Sequence, residues 1–225
     1  MPAFDRLTVW NRMLDTGVTP LFYNPSVQVS KEVASACARG GVELLEFTNR
    51  GDRAWNVFDE LVPYIREEIP SMAVGAGSIT DAHTAAMYIN SGADFIVGPN
   101  LDCDVVRLCN RRGVACVPGC SSTSEVVRAR SLGAEIVKVF PARALGGPTL
   151  IKALKAPLQG VRLMPTGGVK ATREDIYGWI EAGADCLGMG SKLVPKEMVR
   201  ERDYEGIENN VRHVLSLVKE ARESC

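Results

Sequence analysis

The stretch LGAEIVKVF, residues 132–140, has the form of a helix end followed by a buried strand. A glycine just after a helix fits the left-handed C-terminal cap, and the apolar run that ends at Phe140 fits a strand covered on both faces. The pattern recurs in SGADFIVGPN (91–100) and AGADCLGMGS (182–191), and more loosely in RGGVELLEF (39–47). This recurrence predicts helices that alternate with parallel strands.

Eight apolar runs of this kind occur along the chain, with room for one helix between consecutive runs. They cover residues 18–24, 42–48, 72–77, 95–99, 115–119, 136–141, 162–167 and 186–190. Eight alternating units predict an α/β fold, a (β/α)₈ TIM barrel. We expect an extra N-terminal helix at about 4–15, a final helix at about 204–222 and a single domain over 1–225. A doubly wound open sheet is the alternative, but it gives no reason for this count.

The composition excludes several classes of protein. The chain of 225 residues is 46% apolar and 24% charged, with a formal net charge of −1, so nothing favours binding to nucleic acid or to an anionic membrane. The N-terminus lacks the pattern of a signal peptide, and no apolar run is long enough for a membrane helix. We therefore expect a cytoplasmic protein. The seven irregularly spaced cysteines and two histidines predict neither a disulfide framework nor a metal site.

An amine and a carboxylate interrupt two of the predicted strands. Lys138 lies in the sixth run and Glu46 in the second. A lysine is almost never fully buried unless another group pairs with it or the protein uses it. Alternation along a strand places Lys138 on one face with Phe140, and Glu46 on one face with Thr48. If both faces point inward, Lys138 and Glu46 share a cavity, either as a structural ion pair or as catalytic groups.

A strand-borne lysine among apolar neighbours suits imine formation with a carbonyl compound. The nucleophile must be the neutral amine, and holding an ordinary lysine neutral near pH 7.5 costs roughly 4 kcal/mol. Burial favours the neutral form, and so does a nearby guanidinium such as that of Arg50, just past the second run. We favour the catalytic interpretation of Lys138, because a buried ion pair by itself adds little stability.

Two glycine-rich segments end the last two predicted strands, PTGGV (165–169) and GMGS (188–191). In many (β/α)₈ barrels these strand ends hold a phosphate on backbone N–H groups, and glycine lets the backbone approach closely. Ser191 adds a hydroxyl donor. The pair predicts a phosphate site, and the alternative interpretation is two tight turns.

In order along the chain, these motifs resemble the class I family of 2-keto-3-deoxy-6-phosphogluconate (KDPG) / 4-hydroxy-2-oxoglutarate (KHG) aldolases. The similarity runs from about residue 18 to 198. The motifs that carry it are LLEFTNR (44–50), VGAGS (74–78), VPGCSSTSE (117–125), VKVFPA (137–142), MPTGGV (164–169) and GMGSKLVP (188–195). The resemblance implies a (β/α)₈ barrel that needs no metal or other cofactor, acts on a small keto-acid phosphate and commonly forms a homotrimer.

The resemblance also implies a role for each site residue. Lys138 would form the Schiff base, and Glu46 would be the acid/base group. The substrate-binding positions, ordered along the chain, would be Arg50, Ser78, Pro99, Phe140, Thr166, Gly167, Gly168 and Ser191. Arg50 would hold the pyruvyl carboxylate, with Ser78 beside it, and Pro99 and Phe140 would line the site. The phosphate end would consist of Thr166, Gly167, Gly168 and Ser191.

The resemblance implies cleavage of KDPG to pyruvate and glyceraldehyde 3-phosphate. Departures from the family pattern fall in the loops at the aldehyde end, where Asn24, Arg143, Leu145, Met189 and Lys192 replace the more common residues. The substrate alternatives are therefore 4-hydroxy-2-oxoglutarate and the 6-phosphogalactonate epimer. An alternative of another class is a non-catalytic phosphosugar-binding barrel.

Overall fold

The computed structural model describes residues 2–224, and Cys225 lies outside them. Within these residues the chain contains nine parallel strands. They are β1 (Val18–Phe22), β2 (Leu44–Thr48), β3 (Ala73–Gly77), β4 (Phe95–Val97), β5 (Ala115–Val117), β6 (Gly119–Cys120), β7 (Ile136–Val139), β8 (Arg162–Pro165) and β9 (Leu187–Met189).

Helices precede, separate and follow the strands. They are α1 (Arg6–Thr16), α2 (Val27–Gly40), α3 (Ala54–Glu68), α4 (Ala82–Asn90), α5 (Cys103–Arg112), α6 (Thr123–Ser131), α7 (Pro148–Lys155), α8 (Arg173–Glu181), α9 (Lys196–Glu201) and α10 (Tyr204–Ser224). Local sequence sets several of their ends. Ser122 and Glu125 form a reciprocal capping box at the start of α6, and Gly17 ends α1 in the left-handed conformation.

The strands form two parallel sheets that adjoin at two seams. One sheet has the order β5-β4-β3-β2-β1-β9, and the other has the order β6-β7-β8. At the first seam, β5 and β6 follow each other directly in the chain. At the second seam, an isolated bridge pairs Thr166, just after β8, with Gly188 of β9. The result is an α/β fold whose parallel sheet forms a half-barrel, with the carboxyl ends of neighbouring strands on one side.

The fifth predicted strand differs from the expectation, because Pro118 divides it into β5 and β6. A proline has no N–H to donate to a neighbouring strand and is disfavoured within a sheet. Its carbonyl still takes part, since the backbone N–H of Lys138 donates to Pro118 O at 2.9 Å. The interruption therefore lies directly beside Lys138.

Apolar side chains pack on both faces of the strands. The larger cluster joins one face of the strands to the helices, and a smaller inner cluster joins the opposite face. This inner cluster contains Val9, Trp10 and Met13 of α1 together with residues near the strand starts, such as Leu44 and Ile136. Helix α1 therefore covers the amino ends of the strands and leaves their carboxyl ends for the site.

Two further features of residues 2–224 bear on function. No helix within residues 2–224 combines the length and the apolar character needed to cross a membrane. Over the same residues, no three His, Cys, Asp or Glu side chains gather into a group that could hold a metal ion.

Of the six cysteines described, five are buried, as expected of thiols that pack like small apolar side chains.

Candidate active site

Lys138 and Glu46 both lie on the inward face of the strands. Leu44 and Ile136, each two residues before one of them, belong to the same inner cluster, so β2 and β7 turn this face to the interior. In the strand register, Glu46 is opposite Gly75 of β3, whereas Lys138 is opposite Met164 of β8. The amine and the carboxylate therefore enter one interior space from different strands.

The side chain of Lys138 is almost completely enclosed, with a relative exposure of 2%. Its Nζ lies 5.2 Å from the centroid of the Phe140 ring. Burial lowers the pKa of Lys138, Glu46 opposes this shift, and the positive charge of Arg50 adds to it. The net lowering brings the amine toward the neutral form that a nucleophile requires.

Glu46 is fully buried, and neither of its carboxylate oxygens has a hydrogen-bond partner within residues 2–224. Burial raises the pKa of Glu46, while the charges of Lys138 and Arg50 oppose the rise. Asp94 is equally buried but fully engaged, since it accepts from the Ala3 and Val74 N–H groups and pairs with Arg66 at 2.8 Å. Unlike Asp94, Glu46 combines burial, a raised pKa and no hydrogen-bond partner within these residues, and this combination makes it a candidate proton-transfer group.

Glycines in β3 make room for this carboxylate. A β-carbon placed on Gly77 would collide with Oε1 of Glu46, and one placed on Gly75 would collide with the Phe95 ring. Glycine normally weakens a strand, so its presence here indicates close approach by a neighbouring group. The VGAGS segment thus shapes the wall that faces Glu46.

Arg50 and Ser78 meet at the mouth of the interior space. The Nε of Arg50 donates to the Ser78 hydroxyl at 3.1 Å. Ser78 has a left-handed backbone with φ of 60°, which is uncommon for a residue other than glycine. On the opposite wall, Pro99 packs against Gly119, where any β-carbon would meet the Pro99 carbonyl. Because Gly119 is the register partner of Lys138, Pro99 packs beside the strand position next to Lys138.

Phe140 connects the lysine to the glycine turn that follows β8. Its ring approaches the Lys138 amine on one side, and its edge lies 3.3 Å from the place where a β-carbon of Gly167 would stand. Gly167 and Gly168 both have positive φ values, 92° and 86°, so the turn requires glycine at both positions. The Phe140 ring is therefore near both the Lys138 amine and the backbone of this turn.

Arg143 packs against the glycine turn and holds it in place. Its backbone N–H donates to Gly167 O at 3.0 Å, and its Nε donates to Gly168 O at 3.2 Å. Its Nη2 pairs with Asp175, a carboxylate that also accepts from the Lys170 N–H at 2.7 Å. The sequence marks Arg143 only as a departure and gives no signal for Asp175, because their pairing joins the loop after β7 to the first turn of α8, which is remote in sequence.

The other two predicted phosphate residues, Thr166 and Ser191, have different surroundings. The buried Thr166 packs against Gly188, and its hydroxyl donates weakly to Met164 O at 3.4 Å. Thr166 therefore belongs to the seam between β8 and β9. Ser191 is exposed and lines a cleft over the ends of β1, β2 and β9.

That cleft has a volume of about 880 Å³, and it borders the reactive pair without containing it. Thr48 and Arg50, the residues that follow Glu46 on β2, belong to its wall. The remaining wall residues are Leu21, Phe22, Tyr23, Asn24, Val29, Gly190, Ser191, Val194, Lys196, Val199, Arg200 and Arg202. Lys138 and Glu46 therefore lie in an enclosed space beside the cleft.

The fold and the site define an α/β protein in which a strand-borne amine, a buried carboxylate and a glycine turn converge at the carboxyl ends of the strands. Residues 9–210 match the family model described as KDPG and KHG aldolase. The chain therefore belongs to the KDPG and KHG aldolase family.

Individual relatives agree with this assignment. The chain is 34% identical to the 2-dehydro-3-deoxy-phosphogluconate aldolase of Pseudoalteromonas atlantica, over 84% of this chain and 86% of that protein. It is 30% identical to the KHG/KDPG aldolase of Escherichia coli K12, over 92% and 95%. The crystal structure of a 2-keto-3-deoxy-6-phosphogluconate aldolase from Zymomonas mobilis matches with a TM-score of 0.81 and 26% identity, covering 95% of this chain and 98% of that one.

Proposed function

We propose that this chain is a class I aldolase that cleaves KDPG to pyruvate and glyceraldehyde 3-phosphate through an imine on Lys138. The observation that carries the proposal is the pair of buried groups, since Glu46 has no hydrogen-bond partner and Lys138 has a lowered pKa. A structural ion pair would require a direct bond between them, and the Glu46 oxygens make none within residues 2–224. The family membership supplies the substrate class.

In the first step, the neutral Lys138 amine attacks the C2 ketone of the substrate. Protonated Glu46 then gives its proton to the hydroxyl of the carbinolamine, which leaves as water, so that a protonated imine and the Glu46 carboxylate remain. Glu46, as the carboxylate, then takes the proton of the C4 hydroxyl through water while the C3–C4 bond breaks. The bonding electrons move into the imine and form an enamine, and the aldehyde leaves. Protonated Glu46 returns the proton to C3, and hydrolysis releases pyruvate and the free amine.

The other site residues would bind the substrate. Arg50 would hold the pyruvyl carboxylate, a role supported by its position beside Ser78 at the mouth. Pro99 and Phe140 would form the walls. The terminal phosphate would lie on the turn at Gly167 and Gly168, with Ser191 and Thr166 nearby. The path from Lys138 along the Phe140 ring to this turn supports that direction.

Borohydride reduction in the presence of pyruvate tests the proposal. The reagent should fix a reduced pyruvyl group on Lys138, which peptide mass mapping would locate. Lys138→Ala should abolish both the label and the cleavage activity. Labelling that spreads over other lysines, with cleavage retained in Lys138→Ala, would contradict imine catalysis at Lys138. A wild-type protein that shows neither the label nor cleavage would favour a phosphosugar-binding barrel.

A second candidate keeps the mechanism and changes the substrate to 4-hydroxy-2-oxoglutarate. The relative in E. coli K12 carries both substrate names, which favours this candidate. Comparing kcat/KM for KDPG, its galactonate epimer and 4-hydroxy-2-oxoglutarate would rank them. A kcat/KM that is highest for the unphosphorylated substrate would favour this second candidate.

We also propose that the two sheets close into one (β/α)₈ barrel within a single domain, and that three copies assemble as a homotrimer. The Lys138–Pro118 hydrogen bond and the Thr166–Gly188 bridge support closure, because they join the sheets at both seams. Family membership supports the trimer. Light scattering on the purified protein should give three times the mass of the chain.

A further inference from the structure

The cleft beside the reactive pair is strongly basic. Its wall carries Arg50, Lys196, Arg200 and Arg202, and it contains no carboxylate. We call the part formed by Lys196, Arg200 and Arg202 the basic rim. Ser191 lies in the same wall, so the basic rim borders the part of the proposed phosphate end that Ser191 forms. A wall with this charge attracts and holds anions.

Most of this positive charge is not neutralised by the protein itself. Within residues 2–224, neither Lys196 nor Arg202 forms an ion pair, and Arg200 pairs only with Glu201 at 3.3 Å, where both side chains are well exposed. Exposed pairs of this kind are weak. By contrast, Arg143, which packs against the glycine turn, is already engaged by Asp175. The turn therefore offers N–H donors to a phosphate, whereas the basic rim offers the available charge.

Local stability does not explain why two of these cations are present. Arg202 ends α9 in the left-handed conformation, with φ of 58°, where glycine is the favoured residue. Lys196 is the first residue of α9, where the free N–H groups disfavour a positive charge. Residues that break local rules are expected where function requires them.

We propose that Lys196 and Arg202, which share the cleft wall with Ser191, bind and neutralise the terminal phosphate of the substrate. The inference rests on the proposed function and adds specificity-determining residues to it. The electrostatic attraction of these cations is stronger for a phosphate dianion than for a single carboxylate. An uncharged hydroxyl end gains no charge–charge attraction from them. The basic rim therefore favours phosphorylated keto acids over shorter or unphosphorylated ones.

The double variant Lys196→Gln/Arg202→Gly removes both charges without an expected loss of stability. Glycine relieves the left-handed position, and glutamine removes the charge at the start of α9. The matched control is Arg128→Gln/Lys152→Gln, which changes the net charge equally at two exposed positions on α6 and α7. Thermal unfolding should show that both double variants are folded.

Titration calorimetry with inorganic phosphate tests the basic rim independently of catalysis. We expect the Lys196→Gln/Arg202→Gly variant to bind phosphate about tenfold more weakly than the wild type, as two exposed charge contacts imply. The control and Lys138→Ala should bind as the wild type does. Equal phosphate affinity in the wild type and the Lys196→Gln/Arg202→Gly variant would overturn the proposal, even if the borohydride test supports catalysis at Lys138.

Steady-state kinetics assigns the bound phosphate to the substrate. For KDPG, kcat/KM should fall about tenfold in the Lys196→Gln/Arg202→Gly variant through KM, while 2-keto-3-deoxygluconate, which lacks the phosphate, should change less than about twofold. Free phosphate should compete with KDPG in the wild type. Equal losses for both substrates, an equal loss in the control variant, or non-competitive inhibition by phosphate would overturn the assignment.

Discussion

Glu46 and Lys138 differ from the other buried charged groups in what surrounds them. Asp94 accepts backbone N–H groups and pairs with Arg66, and the half-buried Lys155 pairs with Asp185 at 2.7 Å. Such pairing holds structural charges in place. Within residues 2–224 Glu46 has no such partner, so its burial costs stability, as is typical of groups that a protein retains for function.

Replacing Glu46 by glutamine tests its role as a proton-transfer group. Glu46→Gln keeps the size of the side chain and removes the base, so kcat should fall by about 10²–10⁴-fold, with a modest change in KM. Exchange of the pyruvate methyl protons with deuterated water should slow in parallel, because it uses the same imine and enamine. Exchange and cleavage that both continue near the wild-type rate would show that Glu46 is structural.

The pKa of Lys138 should respond in opposite directions to its two charged neighbours. Arg50 lowers this pKa and Glu46 raises it, so Arg50→Gln should shift it upward and Glu46→Gln downward. The pH dependence of modification by an amine-specific reagent, quantified at Lys138 by mass mapping, measures the shift without substrate. Arg107→Gln, the same charge change on the outer helix α5, serves as the control. Shifts in the same direction for both variants would contradict this electrostatic assignment.

At the scale of one element, β3 carries Gly77, a residue unfavourable in a strand, at the position that Glu46 packs against. A β-carbon on Gly77 would collide with the carboxylate, which has little space to move in a close-packed interior. Gly77→Ala should therefore displace Glu46, lower the free energy of unfolding by about 1–3 kcal/mol and reduce kcat. Chemical denaturation and steady-state assays measure the two effects.

Gly178→Ala is the matched control for the β3 variant. Gly178 lies within α8, and an added β-carbon would come no nearer than 3.7 Å to Pro148 Cγ. Alanine should stabilise the helix by about 0.5–1 kcal/mol and leave kcat unchanged. If Gly77→Ala kept full activity, the close fit between β3 and Glu46 would not matter for catalysis.

At the scale of the molecule, hydrogen bonds from Arg222 connect the last helix, α10, to the first helix, α1. Its Nη2 donates to Leu14 O and to Asp185 O, both at 2.7 Å, and its Nη1 donates to Asp15 O at 3.0 Å. These carbonyls lie before β1 and β9, at the amino ends of the strands. Arg222 therefore joins α10, α1 and the sheet on the side opposite the site.

Arg222→Met should lower the free energy of unfolding by about 2 kcal/mol, because three carbonyls lose a charged donor. kcat and KM should stay unchanged, since the site lies at the other end of the strands. Lys219→Gln, an exposed change on the same helix, should have little effect on either quantity. A loss of activity in folded Arg222→Met would show that the two ends of the strands are coupled.

Sequence alone determined the order of helices and strands and the faces of β2 and β7. Glycine caps and buried apolar runs are local signals, and the two-residue period of a strand places Lys138 with Ile136 and Glu46 with Leu44. The glycine pair after β8, Gly167 and Gly168, also shows in the sequence, because no other residue adopts positive φ so readily.

Tertiary structure alone decided which groups meet. Strand register and loop packing determine four features of the site. They are the division of the fifth strand at Pro118, the pairing of Arg143 with Asp175, the lack of a hydrogen bond to Glu46 within residues 2–224, and the cations around the cleft. These contacts join segments that are remote along the chain. The interaction energies of these contacts depend on the distances between the groups and on how far each group is removed from water. Neither quantity can be obtained from the spacing of residues in sequence.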